Sequence, residues 1–294
     1  MSSRGSLVFA DGHLHVNPVR GLGASEVARR FARAGGWFAA VVSLPPWHYG
    51  IDPVEEELKA YEKLLEHHLL ECKRFREAGV KTACIAGFHP AEVDRLISMG
   101  MPPEKVLDLG TNVVHMLYKA CREGKLDGIG EVGRQHYKTA PERLAVALVV
   151  ALEAVELAVE AGCVVHLHLE SYGALTADTT DYLIRKVLHS TATLKRVVFH
   201  HASVKLAARA VELGYSATVP GFAKALEQAF KAIGPRFVPE SDYIDDTRRG
   251  CTVLCPWELV QNELHLLEQG VVGEEELLKV NVDEVVKVYG VEPP

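Results

Sequence analysis

No stretch of the sequence holds the roughly 18 consecutive apolar residues that a membrane-spanning helix needs. The opening residues, MSSRGSLVFADGHLH, also lack the apolar centre of a secretion signal. A cytoplasmic protein without a membrane span is the expectation. Cysteine is sparse, with six in 294 residues: Cys72, Cys84, Cys121, Cys163, Cys251 and Cys255. A secreted disulfide framework would be denser. Cys251 and Cys255 form a CxxxC pair with no second pair nearby, so a buried thiol or an incidental pair is expected rather than a structural zinc site. An excess of positive charge is missing too. The net charge is −7 with histidine neutral, so no broad basic field attracts duplex DNA. That leaves room for an enzyme that grips a phosphate through metal ions. Internal repeats, low-complexity tracts and linkers are absent, which predicts one domain. A glycine-rich phosphate loop after the first strand, the mark of a doubly wound sheet, is absent as well. Asp11-Gly12-His13-Leu14-His15 stands in its place.

What is there reads as an alternation. Hydrophobic residues make up 48% of the chain and charged residues 24%, which suits a full buried core. Apolar runs occur at Leu7–Ala10, Phe38–Ser43, Thr82–Gly87, Gly128–Gly130, Val164–His168, Arg196–His201, Tyr215–Val219 and Arg236–Val238. Helical patterns fall between them, at Ser25–Ala34, Pro53–Ala78, Pro102–Arg122, Pro141–Ala161, Thr179–His189, Val204–Leu213, Ala223–Ile233 and Trp257–Gln269. Ser25 is placed to cap the first helix. Pro53 and Pro141 suit a first turn, where a missing N–H costs nothing. Gly35, Gly79, Gly162 and Gly214 fall just past helix ends, where a positive φ is wanted. Such an alternation predicts a single (β/α)8 TIM barrel, a fold that takes about 250 residues. The tail from Glu274 to Tyr289 reads as an extra C-terminal helix packed outside it.

In a barrel, the C-terminal ends of the strands form the active face. His13 and His15 stand at the first strand, where alternation puts both imidazoles on one side, able to point at one ion. Two surface histidines in a loop are the bland alternative. Glu131 closes the fourth strand among glycines, and a lone buried carboxylate there needs a compensating charge. A metal would supply it; so would Arg134. His166 and His168 share a face of the fifth strand, with one sufficient as ligand and the other free to hold that ligand or the substrate. A histidine satisfied by a backbone carbonyl accounts for one of them but not both. His200 and His201 end the sixth strand, and a regular strand lets only one face the site. Asp242, after the eighth strand, can bind a metal and take a proton from water, or simply cap a turn. Glu240, Asp245 and Asp246 compete for that role. Nitrogen and oxygen ligands suit zinc, manganese or magnesium, and the histidine content leans toward zinc.

In this order the residues resemble the TatD-like metal-dependent hydrolases of the amidohydrolase superfamily, in the archaeal branch of TIM-barrel hydrolases. Asp11–His15 resembles the family's opening D-x-H-x-H. Gly87–Pro90 resembles its G-I-H-P element, Gly128–Gly133 its G-E-I-G, and Glu240–Asp242 its E-T-D. The resemblance covers most of the chain. It implies two divalent ions, zinc first, with manganese or magnesium as alternatives. His13 and His15 would bind one ion with Asp242, and Glu131 would bridge to the second. The second would take one histidine from each of strands five and six. His168, followed two residues later by Glu170, fits the family pattern better than His166. His201 is preferred to His200, because an aspartate often precedes that ligand and His200 can fill its place. The resemblance further implies phosphodiester cleavage, often of single-stranded nucleic acid.

The chemistry expected is hydrolysis by a metal-activated water, with Asp242 as general base. His89, Arg134, His166, Glu170 and His200 are candidates for substrate contact, although His89 could merely orient the loop before Pro90. Two other readings stay open. One is an amide, lactone or phosphotriester hydrolase on the same scaffold. The other is a metal-binding barrel without turnover.

Overall fold

The computed structural model describes residues 7–188 and 190–294. The opening residues 1–6, and His189 at the expected end of one helix, lie outside the described residues. Eight strands run parallel and neighbour one another in chain order: β1 (Phe9–His15), β2 (Gly36–Val42), β3 (Lys81–Ala86), β4 (Gly128–Gly133), β5 (Val164–His168), β6 (Val197–Phe199), β7 (Ser216–Pro220) and β8 (Val238–Glu240). The eighth strand is broken. β8 pairs with β7, and after Ser241 and Asp242 the chain continues as β9 (Tyr243–Asp246), which pairs in parallel with β1. Asp242 N donates to His13 O at 3.0 Å, and Ser241 N donates to Asp11 Oδ1 at 2.9 Å. These bonds stitch the break to the first strand and close the ring into a TIM barrel. β10 (Gly250–Thr252) folds back antiparallel on β9.

The helices are α1 (Ala24–Arg33), α2 (Pro53–Glu56), α3 (Leu58–Glu77), α4 (Pro90–Ser98), α5 (Pro103–Arg122), α6 (Pro141–Glu160), α7 (Ala174–Val187), α8 (Val204–Glu212), α9 (Ala223–Ile233), α10 (Pro256–Glu268), α11 (Glu274–Leu278) and α12 (Glu284–Tyr289). In α6 the buried positions Val146, Ala147, Val150, Ala151, Ala154, Val155 and Ala158 recur at three- and four-residue spacing. One stripe of that helix therefore faces the barrel. The long helix expected over Pro53–Ala78 is split at Glu57, whose φ is +49°; Asp52 caps the short first piece through Val54 N. Ser25 is not a cap: Gly23 holds that position, and the Glu71 carboxylate accepts from Ala24 N at 3.0 Å. α4 was not expected as a helix; Pro90 starts it directly after His89. None of the described helices is long and apolar enough to cross a membrane.

The tail does not lie outside the barrel. Val285 and Val288 of α12 join Ala10, Phe38, Ala40, Ala83, Val164, Val198 and Val238 in one buried cluster at the N-terminal end of the strands. The alanines there leave room, and the apolar face of α12 fills it. Asn281, in the π-turn before α12, accepts from Ala10 N at 2.7 Å through Oδ1, and its carbonyl accepts from Trp37 Nε1 at 2.8 Å. The sparse cysteines also depart from expectation. Cys72 of α3 is joined to Cys84 of β3, and Cys251 to Cys255, with Cα separations of 5.8 and 5.1 Å. The second pair is neither an incidental neighbour nor a lone buried thiol, because β10 and the start of α10 fold back within disulfide reach. Cys121 and Cys163 are free and buried.

Candidate metal centre

Glu131 is the centre of the site. Its strand skips one position in the β4–β5 ladder between Gly130 and Val132, which turns the carboxylate into the barrel mouth. Gly87 lets this happen: a Cβ there would collide with the backbone of Gly130 and Glu131. Around the carboxylate stand His13 Nε2 (3.5 Å), His15 Nε2 (3.3 Å), His89 Nε2 (3.4 Å), His168 Nδ1 (2.8 Å) and His200 Nε2 (3.5 Å). Asp242 adds its Oδ1 at 3.9 Å from both His15 Nε2 and His200 Nε2. It is held there by a backbone turn with φ +49°.

The other ring nitrogens reveal which atoms are free to bind. His15 Nδ1 lies 3.0 Å from Val42 O, an acceptor, so the proton sits on Nδ1 and Nε2 carries a lone pair. His200 Nδ1 lies 2.7 Å from the Glu240 carboxylate, with the same result. His13 Nδ1 meets His166 Nδ1 at 3.0 Å, while its buried Nε2 has no hydrogen-bond partner. His89 is the opposite case. Its Nδ1 accepts from Ala91 N at 3.0 Å, so Nε2 bears the proton and donates toward Glu131. His89 thus caps α4 and orients the loop before Pro90, while its Nε2 faces the site.

The structure brings His13, His15, Glu131, His168 and Asp242 together. Of the sixth-strand pair it puts His200 in the cluster, with its side chain 1% exposed, and leaves His201 at the rim, 46% exposed, with Nδ1 3.4 Å from Asp242 Oδ2. β6 ends at Phe199 and His201 turns away with φ +53°. His166 sits one layer below the cluster. Arg134 does not pair with Glu131; it makes two bonds to Glu170, at 2.8 and 2.7 Å, and one to Thr180. Glu240 anchors His200. Asp245 is consumed by the N–H groups of Asn17, Leu22 and Gly23 and by Tyr243 OH. Asp246 is paired with Arg248. Asp245 and Asp246 are thus not free to compete with Asp242, whereas Glu240 keeps its Oε1 without a hydrogen-bond partner. Two residues were not anticipated. His136, in the loop after β4, places Nδ1 2.6 Å from His168 Nε2, and Tyr289 reaches His166 from α12.

Burial pushes the imidazoles of His13, His166 and His200 well below their usual range, so they are neutral. Burial would raise Glu131, but the imidazoles packed around it, His89 first among them, hold its carboxyl well below the usual range. Burial drives Asp242 well above the usual carboxylate range, and the charges of Glu240 and Glu131 push it further. Asp11 and Glu240 are pushed up to about 7, chiefly by burial. Neutral imidazoles around crowded acids make a dry, electron-rich pocket. Such a pocket is costly unless a cation fills it. Two triads, His13–His15–Asp242 and His13–Glu131–His200, each hold their ligand atoms within 4.8 Å; a third group at that spacing, His89–Glu131–His168, includes the protonated Nε2 of His89. The donor chemistry and the orphaned His13 Nε2 fit a divalent metal.

The fold and this site define a barrel hydrolase with a histidine–carboxylate centre. Residues 10–290 match the family described as TatD related DNase, and the chain belongs to that family. Uncharacterized protein MJ1127 of Methanocaldococcus jannaschii is 26% identical over 285 residues, covering 97% of this chain and 96% of that protein. Among solved structures, the TatD homolog YjjV from Escherichia coli k12 superposes with a TM-score of 0.62 at 17% identity, covering 97% of this chain and 98% of that one. Dihydroorotase from Campylobacter jejuni gives 0.56 at 15% identity, over 97% and 84% of the two chains. These two likenesses speak to the fold alone.

Proposed function

We propose that the chain hydrolyses phosphodiester bonds with two divalent ions, zinc first among them. His13, His15 and Asp242 would hold one ion, His168 and His200 the other, and Glu131 would bridge the pair. His200 takes the place first expected for His201, because only its Nε2 lone pair points at Glu131. The observation that carries the reading is this convergence of lone pairs, from His13, His15 and His200, on two carboxylates. When bound, such ions polarise the scissile oxygen and lower the pKa of water toward neutrality.

The chain's own residues supply the rest. Asp242, partly exposed at 17% and facing both sides of the cluster, accepts the proton of the attacking water. His89 Nε2–H is placed to donate to the substrate's oxygen or to Glu131. His136 holds His168 from behind. The substrate lies along the cleft lined by Arg134, His136, Tyr137, Lys138, Glu170 and Tyr172. Tyr137 and Tyr172, 45% and 78% exposed, offer faces on which unpaired bases can stack, which suits a single strand.

A second reading, a small amide or lactone as substrate, is favoured by one observation. Arg134 is spent on Glu170, so few free cations line the cleft to hold a polyanion. The test begins with metal content. Single-stranded DNA, a generic phosphodiester and a lactone are then assayed with zinc, manganese and magnesium. Asp242→Asn should lower turnover about 10²- to 10⁴-fold, the usual loss of a general base. Retention of more than about a tenth of the activity would remove Asp242 from that role. No turnover of any substrate with any metal would favour a binding scaffold.

A further inference from the structure

We propose that Tyr289, at the end of α12, is a positioning residue that fixes the tautomer of His13 through His166. This rests on the reading of His13 as a metal ligand. The hydroxyl of Tyr289 touches two groups at once: Gly12 O at 3.1 Å and His166 Nε2 at 3.0 Å. Gly12 O can only accept, and a hydroxyl has one proton to give. Tyr289 therefore donates to Gly12, and its oxygen accepts from His166 Nε2–H. A neutral imidazole protonated on Nε2 carries a lone pair on Nδ1. That lone pair, 3.0 Å from His13 Nδ1, accepts a proton from it. His13 is thereby protonated on Nδ1, and its buried Nε2, without any hydrogen-bond partner, presents a lone pair to the site.

The opposite order is chemically sound but inert. If Tyr289 donated to His166, every proton in the chain would move one place, and His13 would point an N–H at the centre, where no metal could bind. The carbonyl of Gly12 selects between the two. It lies next to His13 in β1, so the strand that carries the ligand also sets the ligand's tautomer. His15 and His200 are each fixed by a single acceptor, Val42 O and Glu240. Of these three, His13 is the one fixed through a relay, and the relay begins in the last helix. The partly buried ring of Tyr289 packs against Phe38, with centroids 4.8 Å apart, so the hydroxyl is held in place.

The experiment uses the full-length, metal-stripped protein. Imidazole ¹⁵N shifts of the unsubstituted chain should show His166 protonated on Nε2 and His13 on Nδ1; the reverse assignment would overturn the proposal without any variant. Tyr289→Phe keeps the ring and removes the hydroxyl. It should shift His13 toward the Nε2–H form and weaken zinc binding about 10- to 100-fold in a chelator competition, the usual effect of losing an outer partner. Unchanged tautomers with unchanged zinc affinity would refute the relay while leaving the metal centre standing. A loss of affinity with the tautomer unmoved would reduce Tyr289 to a packing role. If the tautomers are as expected but the unsubstituted protein binds no zinc, the metal reading fails and the relay survives.

Discussion

His200 and His201 are adjacent, chemically identical and 1% against 46% exposed, which makes them a matched pair for testing the centre. Truncating His200 to alanine would confuse two effects. Glu240 is fully buried, its Oε1 already lacks a partner, and it would lose the 2.7 Å bond from His200 Nδ1. Leaving that buried acid unpartnered costs about 1–3 kcal/mol on its own. Asparagine separates the effects, since its amide nitrogen can occupy the Nδ1 position and still donate to Glu240, while nothing replaces Nε2. An outer partner of a ligand is worth about 10- to 100-fold in affinity, so loss of a ligand itself should exceed about 100-fold, or about 2.7 kcal/mol. His200→Asn should therefore bind one ion fewer by elemental analysis and show that loss in a zinc titration, with a melting temperature close to the parent when both are metal-free. His201→Ala should keep both ions and change affinity less than about threefold, below 1 kcal/mol. If His201→Ala loses an ion and His200→Asn does not, the arrangement around Glu131 described here is wrong.

Glu131→Gln should lose at least one ion with the fold intact, because an amide cannot bring charge to two cations; unchanged stoichiometry by elemental analysis would exclude a bridge. Glu92 gives a test of stability against pH. It is buried, accepts from Tyr61 OH at 2.6 Å and from His89 N at 2.9 Å, and burial pushes its pKa up to about 8. Its folded value lies above the ordinary 4.5, so its contribution is complete below that pH and is lost as pH rises toward about 8. Glu92→Gln should thus shrink the fall in melting temperature between about pH 5 and pH 8.5, and an undiminished slope would show that the carboxyl titrates normally.

The sequence made the barrel legible because each apolar run and each amphipathic stretch is marked at its ends. Pro53 and Pro141 start helices, and Gly35, Gly79, Gly162 and Gly214 all take positive φ, as their positions after helices require. His13, His15, Glu131 and Asp242 were legible for a related reason: strand ends gather at one face. Alternation carried on from the inward Val198 would have favoured His200, and the family pattern pulled the other way. The acid that anchors that ligand is supplied by Glu240 on β8, two strands away, not by the residue before it, and no local pattern could show this. Tyr289 lies 277 residues from its partner Gly12, and His136 lies in a loop without periodicity. Contacts of that kind exist only once the ring has closed. The tail was misplaced for the same reason, since an apolar helix face says that it must be covered but not by what.

A ring closed by a strand that changes partner half-way is only as sound as its join. Here the join consists of a few backbone bonds between His13–His15 and Asp242–Ile244 and one from Ser241 N to the Asp11 carboxylate, with His13 and His15 on one bank and Asp242 on the other. Whatever those three side chains grip together is a rivet across the seam. With the proposed ion in that grip, loading the centre and locking the barrel would be a single equilibrium, and the ring would be held shut at its join by its own ligand.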